Sequence, residues 1–481
     1  MSRLPEVERI TNSAAFGTLV QSLATLVSEA MGSDTDFAKT EAVGLQLAEE
    51  AVRQVLERDM RARAERLDSA EKIHVEGKIY RRHESGLGKY PSLTGVLEVV
   101  RHTFRLVGVH NGPTIVPLEL EAGIVEGATP ALAYNVALAY GKDDMRSHGE
   151  DLEAAHRTPP SRTTLENLAK RIGREVKRKI PVIEPIVRAA EMVPAEAIAV
   201  SAGLDRTATP MEELRPEGQA PNTRRKKRTK PYVRKPPPPI DINHRMSYVG
   251  SVSLVGLDGE ITTRKYAATA NEGPDQVAAR MRADLAAYLA QRPDLHLGIV
   301  QDGAPEMWNV MRPMIESLQV KNWSETIDRF HLDERLAEAL NLLPLDDITR
   351  ARFKKQWKID LDENDDAIEQ IEHTLITWAS SGGMSAAAAK KIDEHLTYIK
   401  NNKARMRYAS MRAKGLPIGS GATEGSCKSV VGRRCKRGGE HWKDDGLSSV
   451  LTLRALHLSE RLPQFWTRFA AGYVHEVEVA A

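Results

Sequence analysis

Residues 296–305, HLGIVQDGAP, read as a short apolar strand, HLGIVQ, closed by the turn Asp302-Gly303-Ala304-Pro305, with a helix starting at about Glu306. A carboxylate at that position matters because α/β sheets place their ligands beyond the carboxyl ends of their strands. Upstream, RMSYVGSVSLVGL is β-branched with a period of two, Asp258-Gly259 is a hairpin signal, and EITTRKYAA is a further strand. Residues 274–290 between these strands and the quoted stretch are helical. Earlier still, AIAVSAGL (197–204) is a run of small and apolar residues, read as a buried strand that ends in Asp205.

Downstream, residues 320–327 supply another short strand, ending in Asp328-Arg329-Phe330-His331, and a long helical stretch runs through Met411. Residues 415–437, GLPIGSGATEGSCKSVVGRRCKR, then open with turn chemistry. Ser420 can cap a helix running to about Lys436. Glu424 lies in its first turn, followed by Lys428, Arg433, Arg434, Lys436 and Arg437. One carboxylate among cations suits an enzyme acting on a polyanion; the alternative is a capped helix with a solvated basic face. The order β-β-β-α-β-α-β-α predicts a ribonuclease-H-like mixed sheet with a helical insertion before the last helix. On that sheet Asp205 and Asp302 end the first and fourth strands, and Glu424 returns after the insertion. Carboxylates drawn together repel unless cations compensate, and Mg²⁺ (or Mn²⁺) binds through a few carboxylates plus substrate phosphates. Asp258 is the runner-up for the first aspartate, but Asp-Gly is also a common hairpin turn.

The rest of the chain carries binding signals and exclusions. The 68 basic and 66 acidic residues nearly balance, so the information lies in local segregation. Cys427 and Cys435 are the only cysteines; eight apart on one predicted helix, they are too distant to bridge and read as buried small apolar groups. No disulfide scaffold, four-ligand zinc site, signal peptide or membrane-spanning run is visible, which points to the cytoplasm. Residues from about Phe16 to Val75 read as helices, and Ile73 to Leu120 as a small antiparallel sheet. Residues 128–179 read as three helices, the last capped at Ser161 and rich in Arg and Lys. They fit a helix-turn-helix that presents Arg162, Thr163, Thr164, Asn167 and Lys170 to double-stranded DNA, or an ordinary three-helix packing unit. RRKKRTKPYVRKPPPP contributes Arg224, Arg225, Lys226, Lys227 and Arg228 with no acid, a basic loop for phosphates or a solvated tether. Lys428, Arg433 and Arg434 extend the phosphate-binding set. Trp308 and Trp442 read as packing anchors.

GLDRTATPMEE, YVGSVSL, IVQDGAPEMWN, IDRFHLDERL and LPIGSGATEGSCKSVVGRRCKRGGEHW resemble the transposases of ISKra-type bacterial insertion sequences, and EGATPALA through PPSRTTLENL resembles their upstream region. The resemblance spans roughly Gly77 to Trp466. It departs from that family at Arg206, where a glycine is expected, and in lacking N-terminal cysteines. The resemblance implies a DDE-group enzyme with Asp205, Asp302 and Glu424 as catalytic and metal residues, and Asp328 and His331 in support. It implies binding to terminal inverted repeats and Mg²⁺-dependent cleavage, then strand transfer into target DNA, with no membrane partner. A homo-oligomer on DNA, nucleoid-associated in a bacterium, is the expected working form. A transposase-derived DNA-binding protein without catalysis and a related structure-specific nuclease are the alternatives. The expected organisation is an N-terminal helical region at 1–76 and a small β unit with a helix-turn-helix at 77–194. A catalytic domain follows at 195–470, with a basic loop at about 212–242 and a helical insertion at about 333–414.

Overall fold

The computed structural model describes residues 7, 10, 11, 13–216 and 239–480. The basic stretch Arg224, Arg225, Lys226, Lys227 and Arg228 lies outside the described residues. The chain divides into two compact units: Met1–Lys179 with Gln464–Ala481, and Ile180–Pro463.

The first unit begins with helices Ala14–Met31 and Phe37–Glu65. Helix ends before Val75, because Glu76 and Gly77 both take positive φ, 49° and 71°, and turn β1 (Lys72–Val75) back onto β2 (Lys78–Ser92). With β3 (Gly95–Leu106) and β4 (Thr114–Ile115) these form the expected antiparallel sheet. Its order is β10-β1-β2-β3-β4, and the chain's last strand, β10 (Glu478–Val479), supplies one edge. Tyr90, Leu97 and Val99 on one face of β2 and β3 bury against Met60 and Ala64 of the second helix.

Helices Pro130–Lys142, Met145–Ala154 and Arg162–Ala189 follow. The third starts at Ser161, whose hydroxyl accepts from Thr164 N at 3.3 Å. It does not stop near Lys179 but passes Pro181 and Pro185. Local propensity is overridden by burial: Leu165, Leu168, Ala169, Ile172, Val176, Ile180, Ile183 and Val187 form one continuous buried stripe.

The second unit is built on β5 (Ala199–Leu214), β6 (Ile240–Gly256), β7 (Gly259–Ala268), β8 (His296–Gln301) and β9 (Trp323–Ile327), in the sheet order β7-β6-β5-β8-β9. β5, β6 and β7 form an antiparallel meander, while β8 runs parallel to β5 and β9 parallel to β8. Helix Pro274–Gln291 follows the meander, and helix Pro305–Glu316 connects β8 to β9. The insertion comprises Arg329–Leu342, Asp347–Glu363, Ala367–Ser380, Ala386–Asn402 and Tyr408–Ala413. β5 does not end at Asp205. It pairs with β6 along its whole length, from Ala199↔Val255 to Leu214↔Ile240, whereas β8 accompanies it only as far as Ala202↔Ile299. Cross-strand pairing thus carries β5 through charged residues and Pro210 that look unlike a strand in isolation. No helix among the described residues is long and apolar enough to cross a membrane.

A buried ionic network fastens the end of the long helix to this unit. Arg461, 2% exposed, binds both oxygens of the fully buried Asp284 at 2.7 and 3.0 Å and Glu191 at 2.8 Å. Arg188 also meets Asp284, and Arg280 binds Glu184 at 2.8 and 3.0 Å. Burial opposes ionisation of Glu184, yet the guanidinium groups of Arg280, Arg461 and Arg188 hold its carboxyl below the ordinary range.

Candidate active site

Asp205, Asp302 and Glu424 are carried by separate elements near the carboxyl end of β8, where it leaves its inner-strand neighbour β5. Asp302 follows β8 directly, and its Oδ1 accepts from Ala304 N at 2.9 Å. Asp205 sits on β5 just past the last residue paired with β8. Glu424 rides on helix Gly421–Ser426, which lies directly on the β5 backbone: a Cβ at Gly203 would be 2.3 Å from Thr423 Oγ1. Thr423 Oγ1 in turn pairs with Ser251 Oγ of β6 at 2.7 Å. The small residues in AIAVSAGL are what allow this helix to approach.

Asp205 feels the other two carboxylates. Its pKa is raised, first by burial and then by the charges of Asp302 and Glu424; the Arg206 N–H at 2.6 Å and the Cys427 thiol at 3.4 Å act in the opposite direction. Among the described residues Asp205 makes no ion pair. A raised carboxyl pKa means that the folded chain favours the protonated form. The stability it contributes is therefore present below the ordinary Asp range and lost as pH rises through the raised value. Asp205→Asn is accordingly expected to raise the thermal midpoint of the metal-free chain by a few degrees at neutral pH, with the gain shrinking towards acid. Thermal melts across pH check this; a loss of stability, or a gain independent of pH, contradicts it.

Glu424 is positioned by a chain of contacts that starts at Asp328, at the end of β9. Asp328 is fully buried and accepts from Phe330 N at 2.6 Å, His331 N at 3.1 Å and Ser420 N. With the bond from Arg329 N to Ile418 O at 3.0 Å, it pins the turn before the Glu424 helix to the sheet edge. Ser420 is not a side-chain cap as expected: its hydroxyl donates to Glu424 Oε1 at 2.7 Å instead. His331 Nε2 stands 3.6 Å from the same oxygen.

The helical path from Gly421 runs to Cys435, widening into a π-helical turn over Cys427–Gly432. Lys428, Arg433 and Lys436 are exposed along it, and the Lys436 ammonium meets the Thr207 hydroxyl of β5. Arg434 departs from the expected phosphate-binding set. It is buried, with its guanidinium 3.2 Å from Glu440 and 4.9 Å from the centre of the Trp442 ring, so both its charge and its plane are already used. Trp442 anchors this segment to β5 through backbone bonds with Pro210 and Glu212 at 3.0 and 2.7 Å. Trp308 is also a packing residue, buried with its Nε1 on Asp302 O at 2.9 Å.

Asp258, the runner-up, is exposed in the β6–β7 turn. Asp205 pairs with Val249 of β6 and Ala199 with Val255, so the turn lies at the other end of the meander, about 20 Å away along the strand. In the first unit, Arg162, Thr163, Asn167 and Lys170 are exposed on the side opposite the buried stripe of their helix, and Thr164 is half-buried. Arg162 is held by Glu166 at 2.7 Å.

Two contacts were not anticipated from sequence. Cys427, read as a small apolar group, is buried but hydrogen-bonds Asp205; its spacing of three from Glu424, one helical turn, is the signal that places both on one face. The Ser420–Glu424 bond has the same one-turn logic.

Among the described residues, no three His, Cys, Asp or Glu side chains cluster tightly enough to form a ready-made metal cage. The donors nevertheless fit a hard divalent cation. The charges of Asp302 and Glu424 both reach Asp205, whose pKa is raised first by burial and then by these two neighbours, and among the described residues Asp205 has no ion-pair partner. Mg²⁺ is commonly held by one or two carboxylates completed by substrate phosphates rather than by an all-protein cage.

No family model matches the chain, and a search of the curated proteins finds no match. Among solved structures, the Drosophila P element transposase strand transfer complex aligns at 10% identity over 71% of this chain and 81% of that chain, with a TM-score of 0.25. The Mos1 transposase paired-end complex with left transposon end aligns at 13% identity over 55% and 75%, with a TM-score of 0.14.

Proposed function

We propose that this chain is a DDE-group DNA transposase of the ISKra type, which binds the terminal inverted repeats of an insertion sequence and catalyses Mg²⁺-dependent (or Mn²⁺-dependent) cleavage and strand transfer. The observation that carries the reading is the Glu424 helix packed on the β5 backbone at Gly203, two residues before Asp205, whose pKa is raised first by burial and then by the charges of Asp302 and Glu424. The sheet order β7-β6-β5-β8-β9, with three antiparallel strands followed by two parallel ones, supports a ribonuclease-H-like catalytic domain. The motif resemblance around Asp302 and Glu424 supports the same reading.

In this reading Asp205, Asp302 and Glu424 hold the metal, which when bound activates the attacking oxygen and stabilises the leaving one. Asp328 and Ser420 fix the carboxylate of Glu424, and His331 stands beside it. Lys428, Arg433 and Lys436 hold backbone phosphates next to the carboxylates. Arg162, Thr163, Thr164, Asn167 and Lys170 contact the repeat, Arg224 to Arg228 add sequence-independent attraction, and the DNA-bound form is a homo-oligomer.

The test uses the full-length chain and a plasmid carrying the DNA that flanks its own gene. With Mg²⁺, cleavage at the element ends and joined products are expected; with Ca²⁺, binding without cleavage is expected. Binding to the ends with no cleavage in Mg²⁺ or Mn²⁺ would leave a DNA-binding protein in place of an enzyme.

A further inference from the structure

Three cations of the first unit's sheet fall in a single cross-strand row. The register pairs Lys72 of β1 with Arg81 of β2, and Arg81 with Arg105 of β3. Thr114 of β4 continues the row beside Arg105. Residues directly opposite one another point their side chains to the same face, and like charges so placed destabilise a sheet. Among the described residues none of the three cations makes an ion pair. Lys72 and Arg81 are exposed, and Arg105 is half-buried with its Nε unpartnered.

Neighbouring cations on the same strands are already engaged. Arg82 donates to the backbone oxygens of Ala70 at 2.9 Å, Asp68 at 2.6 Å and Leu67. Lys89 pairs with Glu98 at 2.7 Å, and Arg101 lies 3.5 Å from Glu119. Cations on an edge strand can serve to discourage pairing with another sheet. That purpose does not account for this row, because β1, β2 and β3 are the three inner strands of the order β10-β1-β2-β3-β4. What the row lacks is anionic charge.

Neighbouring strands lie about 4.8 Å apart, so three cations on three strands span roughly 10 Å. One strand of duplex DNA advances about 3.4 Å along the helix axis per phosphate, so about three of its phosphates occupy that length. Guanidinium and ammonium groups make charge-assisted bonds to phosphate oxygens, and a threonine hydroxyl is a further phosphate donor. We propose that this sheet face binds the phosphate backbone of duplex DNA without regard to sequence. The inference rests on the DNA-processing reading above and adds to it a DNA contact other than the helix that carries Arg162.

The test measures binding of the full-length chain to a random-sequence duplex and to a duplex of the element's own end, with monovalent salt varied and no divalent cation. In the triple variant Lys72→Gln/Arg81→Gln/Arg105→Gln the slope of log affinity against log salt is expected to fall by about 2–3 on both duplexes, the counterions of about three phosphates at about 0.9 each. Arg81→Gln alone removes both repelling pairs, because Arg81 stands between the other two cations. It is expected to lower the slope by about 1. It is also expected to raise the thermal midpoint of the DNA-free chain by about one to three degrees at low salt, a gain that shrinks in high salt. A triple variant with the wild-type slope overturns the proposal, as does a fall confined to the end duplex, which belongs to base contacts. A lower midpoint for Arg81→Gln makes the row part of the fold and overturns it too. Failure is separable from failure of the enzyme reading. Mg²⁺-dependent cleavage with an unchanged slope in the triple variant removes the sheet face alone, and a reduced slope without cleavage by the wild type removes the enzyme alone.

Discussion

Under the proposed function, Glu424→Gln and Asp205→Asn are each expected to reduce Mg²⁺-dependent strand cleavage by about a thousandfold or more, with affinity for DNA within about twofold of the wild type. Each exchange keeps shape and removes one negative charge, so a carboxylate that holds a cation loses several kcal/mol of transition-state stabilisation. Binding is expected to be spared because the proposed function rests it on phosphate and base contacts made by other residues. Asp258→Asn is the internal control. Its carboxylate is exposed in a turn at the far end of the meander, and Asn accepts the same turn geometry, so cleavage stays at the wild-type rate. Gel assays of cleavage, with binding measured in parallel, check all three. Normal cleavage by Asp205→Asn, or loss by Asp258→Asn, contradicts the assignment of the first aspartate.

Arg461→Ala destabilises the chain by about 3–5 kcal/mol, the cost of breaking a buried ion pair from one side. Arg461 is one of the largest fully buried side chains, and its removal takes a partner from the fully buried Asp284 and from Glu191. The same network gives a pH signature. Glu184 has a depressed pKa, so its contribution is present above the ordinary Glu range and is lost as pH falls through the depressed value. The wild type therefore weakens in acid at this site. Chemical denaturation followed by fluorescence measures the loss, and a cost below about 1 kcal/mol would mean that the network is not the clamp its burial implies.

How much of this was legible in the sequence depends on how local each determinant is. The strand–turn–helix at HLGIVQDGAP and the helix that carries Glu424 are local patterns of apolar residues and glycines, and both were read at nearly their observed limits. β5 was read only as far as Leu204. Its continuation through Arg206, Pro210 and Glu212 depends on β6, a partner distant in sequence. The long helix was read only to Lys179, yet the buried stripe and the Arg188–Asp284 contact carry it past Pro181 and Pro185 to Ala189. Side-chain partnerships were harder still. Arg434 looks like any other cation in GRRCKR, and only the fold brings Glu440 and Trp442 onto it. Asp328 was read as a supporting residue at a strand end, but its bond to Ser420 N depends on a turn that returns after the whole insertion.

The most direct measurement of the central claim, that Asp205, Asp302 and Glu424 act together on one metal, is Mn²⁺ uptake by the full-length chain in the presence of duplex DNA, followed by electron paramagnetic resonance. The wild type and Asp258→Asn are expected to bind Mn²⁺ alike. Asp205→Asn, Asp302→Asn and Glu424→Gln are each expected to lose at least about tenfold in affinity for it. Undiminished Mn²⁺ uptake by all three variants would contradict the account.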